Sequence, residues 1–158
     1  VTQGHEVSGE IVQVGSAVKG LEVGQKVVLE PQVTCGKCYP CTHGKYNLCT
    51  GLKVMGFQTT GAASEYFAVD ASKVDVIPDS MIYDEAALIE PLTIALAAAE
   101  QAHISYGKSV AITGAGGIGL MLVQLARLAG ASCVTVFDLV EEKCELAKQL
   151  GADYAQEK

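Results

Sequence analysis

The sequence of 158 residues predicts a chain in two parts, a β-rich first part and a second part in which strands and helices alternate. Short predicted strands, such as Lys26–Glu30 after the Gly24 turn and Val74–Ile77, are typical of a small barrel or sandwich. Further along the chain, strand, helix, strand and helix follow one another, which favours parallel strands joined by crossover helices. The predicted fold class is therefore α/β plus β, with a first domain over residues 1–91 and a second over residues 92–158.

The first part contains two further predicted strands, Glu6–Val14 and Ala63–Asp70, and a long loop over residues 31–61. A loop of this length inside a compact domain is usually functional or held together by a metal. Helical sequence begins near the end of this part. Asp84 suits the N-cap of a first helix, and Pro91 suits the first turn of a second helix.

Two strands and two helices are predicted in the second part. The buried strand Ser109–Thr113 precedes a helix over Gly117–Leu128, and the strand Ser132–Phe137 precedes a helix over Glu141–Leu150. Two strands, with at most the start of a third, build only part of a six-stranded doubly wound sheet.

Composition and charge exclude several classes of protein. With 49% hydrophobic residues the chain can bury a substantial core, so disorder is excluded as its main state. The net charge of −7 repels phosphate backbones and anionic lipid, which argues against nucleic-acid and membrane partners. The most apolar stretch, Ser109–Val123, is too short to span a bilayer and is interrupted by glycines. No transmembrane segment is predicted.

Four of the six cysteines lie in one short segment, at Cys35, Cys38, Cys41 and Cys49. Their clustering favours a metal site over disulfides, in a reducing compartment. The spacing lets four thiolates converge on one tetrahedral ion, for which zinc is best suited. Because protein fills all four positions, such a site is structural and performs no chemistry. A loop of free thiols and an iron–sulfur site are the alternatives.

A glycine pattern follows the strand that ends at Thr113 and opens the next helix. In this context G-x-G-x-x-G is typical of a dinucleotide-binding site of the Rossmann type, although a packing turn without ligand is the alternative. The first glycine permits the tight turn, the second lets the backbone approach a pyrophosphate, and the third lets the helix pack on the strand. The helix N-terminus favours the phosphates. The residues expected to bind the cofactor here are Gly114, Gly116, Gly117, Ile118 and Gly119.

Asp138 ends the next predicted strand, nineteen residues beyond Gly119. A carboxylate at this position can accept hydrogen bonds from both hydroxyls of an adenosine ribose. No basic residue follows Asp138 directly, so the 2′-phosphate of NADP would meet negative charge. The sequence therefore predicts NAD as the cofactor.

A second metal site is predicted from His5, Glu6 and Glu90. Taken singly, His5 has the alternative of a hydrogen-bonded buried histidine, and Glu6 that of a charge on an edge strand. Glu90 stands in an otherwise apolar segment, where a carboxylate is costly to bury unless it is paired or bound to a metal. One nitrogen and one or two carboxylate oxygens on an ion leave a coordination position open, which is typical of a catalytic site.

In their order along the chain, these motifs resemble the zinc-dependent medium-chain alcohol dehydrogenases. The resemblance is carried by GHE at 4–6, the cysteine cluster, LIEPL at 88–92 and GAGGIG at 114–119, and it extends over nearly the whole chain. The polyol (sorbitol-like), butanediol and threonine dehydrogenase branches are most similar. The resemblance implies part of a GroES-like catalytic domain, followed by the first half of a Rossmann domain.

The resemblance also implies roles for individual residues. His5 would be a catalytic zinc ligand, Glu6 a ligand or a residue that exchanges with water at the metal, and Glu90 would stand at or beside the same ion. Glu90 favours the polyol-like enzymes, because the alcohol dehydrogenases proper usually have a cysteine there. Residues 57–60 resemble the loop that borders the substrate pocket. The family's first zinc ligand, a cysteine, lies upstream of GHE, so the chain is expected to be an internal fragment.

The predicted function is oxidation of a secondary alcohol of a polyol, diol or hydroxy amino acid to a ketone, with hydride transfer to NAD. One structural and one catalytic zinc ion are expected, together with a small-molecule alcohol substrate, a cytoplasmic location and a homo-oligomer, either a dimer or a tetramer. Two other hypotheses stay open. In the first, the chain is a catalytically inert zinc-binding module. In the second, it belongs to an NADPH-dependent reductase of the same fold that lacks catalytic zinc.

Overall fold

The computed structural model describes residues 1–157. The chain forms two compact units, Val1–Glu90 and the part from Pro91 onward. Among the described residues, no helix has the length and apolar character needed to cross a membrane.

The first unit is built from short strands. Strands β1, β2 and β5 form an antiparallel sheet in that order, and β3 pairs with β4 in a separate antiparallel ribbon. The small core contains Val28, Ile77 and Ala86. The strands and helices that begin in this unit are β1 (Ser8–Glu10), β2 (Lys26–Leu29), β3 (Gln32–Val33), α1 (Tyr39–Thr42), β4 (Lys53–Val54), β5 (Val74–Val76), α2 (Tyr83–Ala87) and α3 (Ile89–Gln101).

The second unit contains a parallel sheet in the order β6-β7-β8, with Ser109 opposite Cys133 and Thr135 opposite Tyr154. Helix α4 buries Val123 and Ala126 in the core, which they share with Val134 and Val136 of the central strand. Parallel strands joined by helices are the predicted arrangement, and the structure confirms it. The elements are β6 (Ser109–Thr113), α4 (Gly117–Leu128), β7 (Cys133–Asp138), α5 (Glu141–Gln149) and β8 (Tyr154–Glu157).

Three predictions for the first unit are corrected by the structure. The predicted strand Ala63–Asp70 is irregular, because no strand within residues 1–157 pairs with it. The predicted strand Glu6–Val14 is reduced to the three residues that pair with β2. Helix α2 begins at Tyr83, and its N-cap is Ile82 rather than the predicted Asp84. Asp84 lies in the first turn, where the helix dipole stabilises a carboxylate.

Candidate metal centres and nucleotide site

The four cysteines of the long loop converge. Their sulfur atoms all lie within 4.8 Å of one another, and the sulfurs of Cys38 and Cys41 are 3.4 Å apart. The backbone N–H groups of Cys35 and Gly51 donate to Sγ of Cys49 at 3.3 and 3.4 Å. Four sulfurs surrounded by N–H donors are the donor set and the supporting shell that a zinc ion prefers.

The thiols of this cluster differ in their electrostatic surroundings. Backbone N–H groups of Cys41 and Thr50 lower the pKa of Cys38 to about 6. Burial, with hydrogen bonding to Cys38, raises the pKa of Cys41 to about 12. Cys38 therefore loses its proton more readily than Cys41, and metal binding requires both as thiolates.

The histidine and the two carboxylates of the second predicted site also converge. One ligand atom from each of His5, Glu6 and Glu90 lies within 4.8 Å of the others. His5 and Glu6 lie on the segment before β1, and Glu90 lies in the first turn of α3. Burial raises the pKa of Glu90, and the Glu6 carboxylate adds to the shift while His5 opposes it. An imidazole with two crowded carboxylates is a donor set that fits a divalent cation.

An aromatic side chain stands beside this cluster. The ring of Phe57 lies with its centroid 5.0 Å from that of His5, and 63% of the Phe57 surface is exposed. Phe57 belongs to the segment that resembles the family's pocket loop, and it gives the cluster an apolar neighbour.

The glycine loop has the shape that its three glycines predict. Gly114 has φ +96°, which favours glycine, and its N–H donates to the Phe137 carbonyl at 2.7 Å. A Cβ atom on Gly119 would collide with the Gly114 carbonyl oxygen, whereas Cβ atoms on Gly116 and Gly117 would meet open space. The loop is therefore tightly packed at Gly119 and open at Gly116 and Gly117. Ile118 lies in the first turn of α4.

Asp138 closes the loop from the adjacent strand. Its carboxylate accepts hydrogen bonds from the N–H groups of Ala115 at 2.6 Å and Val140 at 3.0 Å. The Ala115 N–H in particular lowers the pKa of Asp138, so the group is ionised at neutral pH. A cavity of about 430 Å³ opens here, lined by Gly114, Phe137, Asp138, Leu139, Val140 and Lys143.

Lys143 also lines this cavity, although it does not directly follow Asp138 in the sequence. It lies five positions beyond Asp138 in the chain, yet helix α5 places it in the cavity lining. The sequence signal that could have identified Lys143 is its place on the predicted helix that follows Asp138.

Each of the two units contains a segment that matches a known protein family. Residues 1–79 match the family model of the alcohol dehydrogenase GroES-like domain, and residues 117–158 match that of the zinc-binding dehydrogenases. These matches define the class as zinc-binding dehydrogenases with a GroES-like and a Rossmann-type part. The chain belongs to the zinc-dependent medium-chain alcohol dehydrogenase family.

Individual relatives are similar to nearly the whole chain. The chain is 42% identical over 152 residues to the sorbitol dehydrogenase of Bacillus subtilis and 45% identical over 151 residues to the L-threonine 3-dehydrogenase of Pyrococcus abyssi. Each alignment covers 96% of this chain and 43% of the relative. A solved structure from Sinorhizobium meliloti, described as a candidate zinc-binding dehydrogenase bound to NADP, has a TM-score of 0.96 at 38% identity. It is covered over 46% of its length by 99% of this chain.

Proposed function

We propose that the whole protein oxidises a secondary alcohol of a polyol, diol or hydroxy amino acid to a ketone, with zinc and NAD. The observation that carries the proposal is the convergence of His5, Glu6 and Glu90 within 4.8 Å. The cysteine cluster already offers one ion a complete set of four ligands. A second donor set with fewer protein ligands is the arrangement that leaves a position for substrate.

At this cluster the chain's own residues would bind the metal ion and orient the substrate. A zinc ion there would supply a Lewis acid that brings the pKa of a substrate hydroxyl towards neutrality. The imidazole of His5 and the carboxylates of Glu6 and Glu90 would hold the metal. Phe57 borders the cluster with an exposed ring, which would exclude water from one side of the substrate.

In the second unit the glycine loop and Asp138 would position the cofactor. The open backbone at Gly116 and Gly117 leaves room for a pyrophosphate, and the start of α4 directs N–H groups to it. Asp138 keeps acceptor capacity for ribose hydroxyls beside its two backbone bonds, since a carboxylate has about four lone-pair sites.

The choice of NAD rests on the charge of Asp138. An ionised carboxylate repels a 2′-phosphate, whereas Lys143 in the same cavity attracts it. Asp138 dominates because the Ala115 and Val140 bonds fix its position, while lysine is a point charge on a flexible stem. The proposal includes a cytoplasmic homo-oligomer and a small-molecule substrate.

The test is made on the full-length protein. We expect NADH formation with one or more of sorbitol, xylitol, 2,3-butanediol and threonine, and two zinc ions per subunit. His5→Ala should lower kcat more than tenfold, over about 1.4 kcal/mol of barrier, and leave NADH binding unchanged. His43→Ala, which alters an exposed histidine of the cysteine loop and leaves the His5 cluster unchanged, is the control for activity. One zinc ion per subunit, or a His5→Ala enzyme as active as the control, would contradict the proposal.

A further inference from the structure

The segment before His5 is held directly against the loop that carries Phe57. The N–H groups of Gly61, Ala62 and Ala63 donate to the carbonyls of Thr2, Gly4 and Gln3 respectively, at 2.7 to 2.9 Å. These backbone bonds join residues 2–4 to residues 61–63, which lie far apart in the chain. The loop is therefore part of the support of the metal cluster.

At three glycines the two segments lie so close together that a side chain would not fit. A Cβ atom on Gly61 would collide with the Gly4 carbonyl oxygen and lie 2.6 Å from the Gln3 oxygen. A Cβ atom on Gly56 would lie 2.8 Å from the Gly4 nitrogen. Gly4 itself has φ +95°, which favours glycine. We call Gly4, Gly56 and Gly61 the glycine clasp.

The clasp stands next in sequence to both aromatic rings of the site. Gly4 precedes His5 and Gly56 precedes Phe57, and the two rings lie 5.0 Å apart. The obstacles to any Cβ at Gly56 and Gly61 include backbone atoms, which cannot rotate away as a side chain can. A change in the clasp therefore moves the backbone that carries His5.

A side chain secures the loop from outside the clasp. Oε1 of Gln58 accepts the Val54 N–H at 2.8 Å, and the Val54 carbonyl accepts the N–H groups of Phe57 and Gln58 at 3.1 Å. Gln58 is exposed, so its replacement changes the turn without altering the core.

We propose that the glycine clasp is a positioning element for His5 and Glu6, which sets the metal affinity of the second cluster independently of the cysteine cluster. The inference rests on the proposed function in that His5 and Glu6 are taken as metal ligands. It goes further by assigning residues that touch neither metal nor substrate to the geometry of that site.

The first experiment compares Gly61→Ala with Gly15→Ala in the full-length protein. A Cβ on Gly15 would make an ordinary contact of 3.8 Å with Val18, so it is the matched control. In the metal-free proteins we expect the ring resonances of His5 to shift in Gly61→Ala and not in Gly15→Ala. In cobalt(II) titrations we expect at least tenfold weaker binding at the His5 cluster, with the thiolate-to-cobalt absorption of the cysteine cluster retained.

The second experiment uses side-chain variants that leave the clasp itself intact. Gln58→Ala removes the acceptor of the Val54 N–H, and Gln58→Glu retains one. We expect cobalt at the His5 cluster to dissociate about threefold to tenfold faster in Gln58→Ala, and at the wild-type rate in Gln58→Glu.

Two outcomes would overturn the inference. Gly61→Ala that matches Gly15→Ala in His5 resonances and cobalt affinity would show that the clasp positions nothing. Loss of cobalt from both clusters would show that the clasp merely supports folding. A wild-type protein that binds cobalt only at its cysteines would refute the proposed function, and the His5 resonances would then decide the positioning role separately.

Discussion

The tight packing beneath the glycine loop gives a prediction for Gly119→Ala. The new Cβ would overlap the Gly114 carbonyl oxygen and lie 2.9 Å from the Gly114 carbonyl carbon. Since carbon atoms pack at about 3.5–4.0 Å, the start of α4 must move away from the end of β6 by roughly 1 Å. Forcing a methyl group into such a site destabilises a fold by about 1–3 kcal/mol.

The same displacement would disable the phosphate site. Hydrogen bonds from backbone N–H groups to a phosphate require about 2.7–3.2 Å, so a shift of about 1 Å breaks them. Two lost bonds to a charged group, at about 1.5–3 kcal/mol each, amount to at least about 3 kcal/mol. We therefore expect the Kd for NADH to rise more than about a hundredfold.

Gly116→Ala is the matched comparison, because a Cβ there meets open space. We expect this variant to weaken NADH binding without a loss of stability, whereas Gly119→Ala loses both. NADH fluorescence titration measures the Kd, and hydrogen exchange of the β6 and α4 amides measures the stability of the second unit. A Gly119→Ala protein with wild-type protection and a Kd within threefold of wild type would refute the packing argument.

Three further predictions concern other residues. Cys38→Ser should release zinc from the cysteine cluster and expose residues 31–61 to proteolysis while NADH binding persists, which zinc analysis and limited proteolysis would test. Wild type should prefer NAD over NADP at least about a hundredfold in kcat/KM, or about 2.7 kcal/mol, and Asp138→Asn should reduce that preference at least tenfold in a low-salt assay. The Val134 N–H, and after it Arg127, lower the pKa of Asp153. The ionised carboxylate therefore stabilises the fold fully above the unfolded pKa of about 4, and this stabilisation is lost as the pH falls through the folded pKa. Asp153→Asn should therefore flatten the loss of stability that denaturant titration measures as the pH falls below about 4.

The second unit was predictable because its signals are local. An apolar strand, followed by a glycine pattern that opens a helix, predicted β6 and α4 with their observed limits. The first unit was harder, because a short antiparallel strand depends on a partner elsewhere in the chain. Ala63–Asp70 has the composition of a strand but no strand beside it in residues 1–157.

The candidate sites were predictable to the extent that chemistry is visible in residue type and spacing. Four cysteines at metal-ligand spacing identify their own cluster, and a carboxylate among apolar residues identified Glu90. The glycine clasp was missed, because a glycine in a sequence indicates permitted backbone angles and does not indicate what packs against it. The position of Lys143 was missed because distance along the chain overestimates distance in space across a helical turn.

The bond between Asp138 and the Ala115 N–H has a consequence for the entropy of cofactor binding. The Asp138 carboxylate holds the glycine loop in shape through a bond within the protein itself, which needs no cofactor. A loop that is ordered beforehand loses little conformational freedom when a ligand arrives, so more of the contact energy appears as affinity. The Ala115 amide is consequently a reporter of this order, and its exchange with solvent should already be slow in the apoprotein.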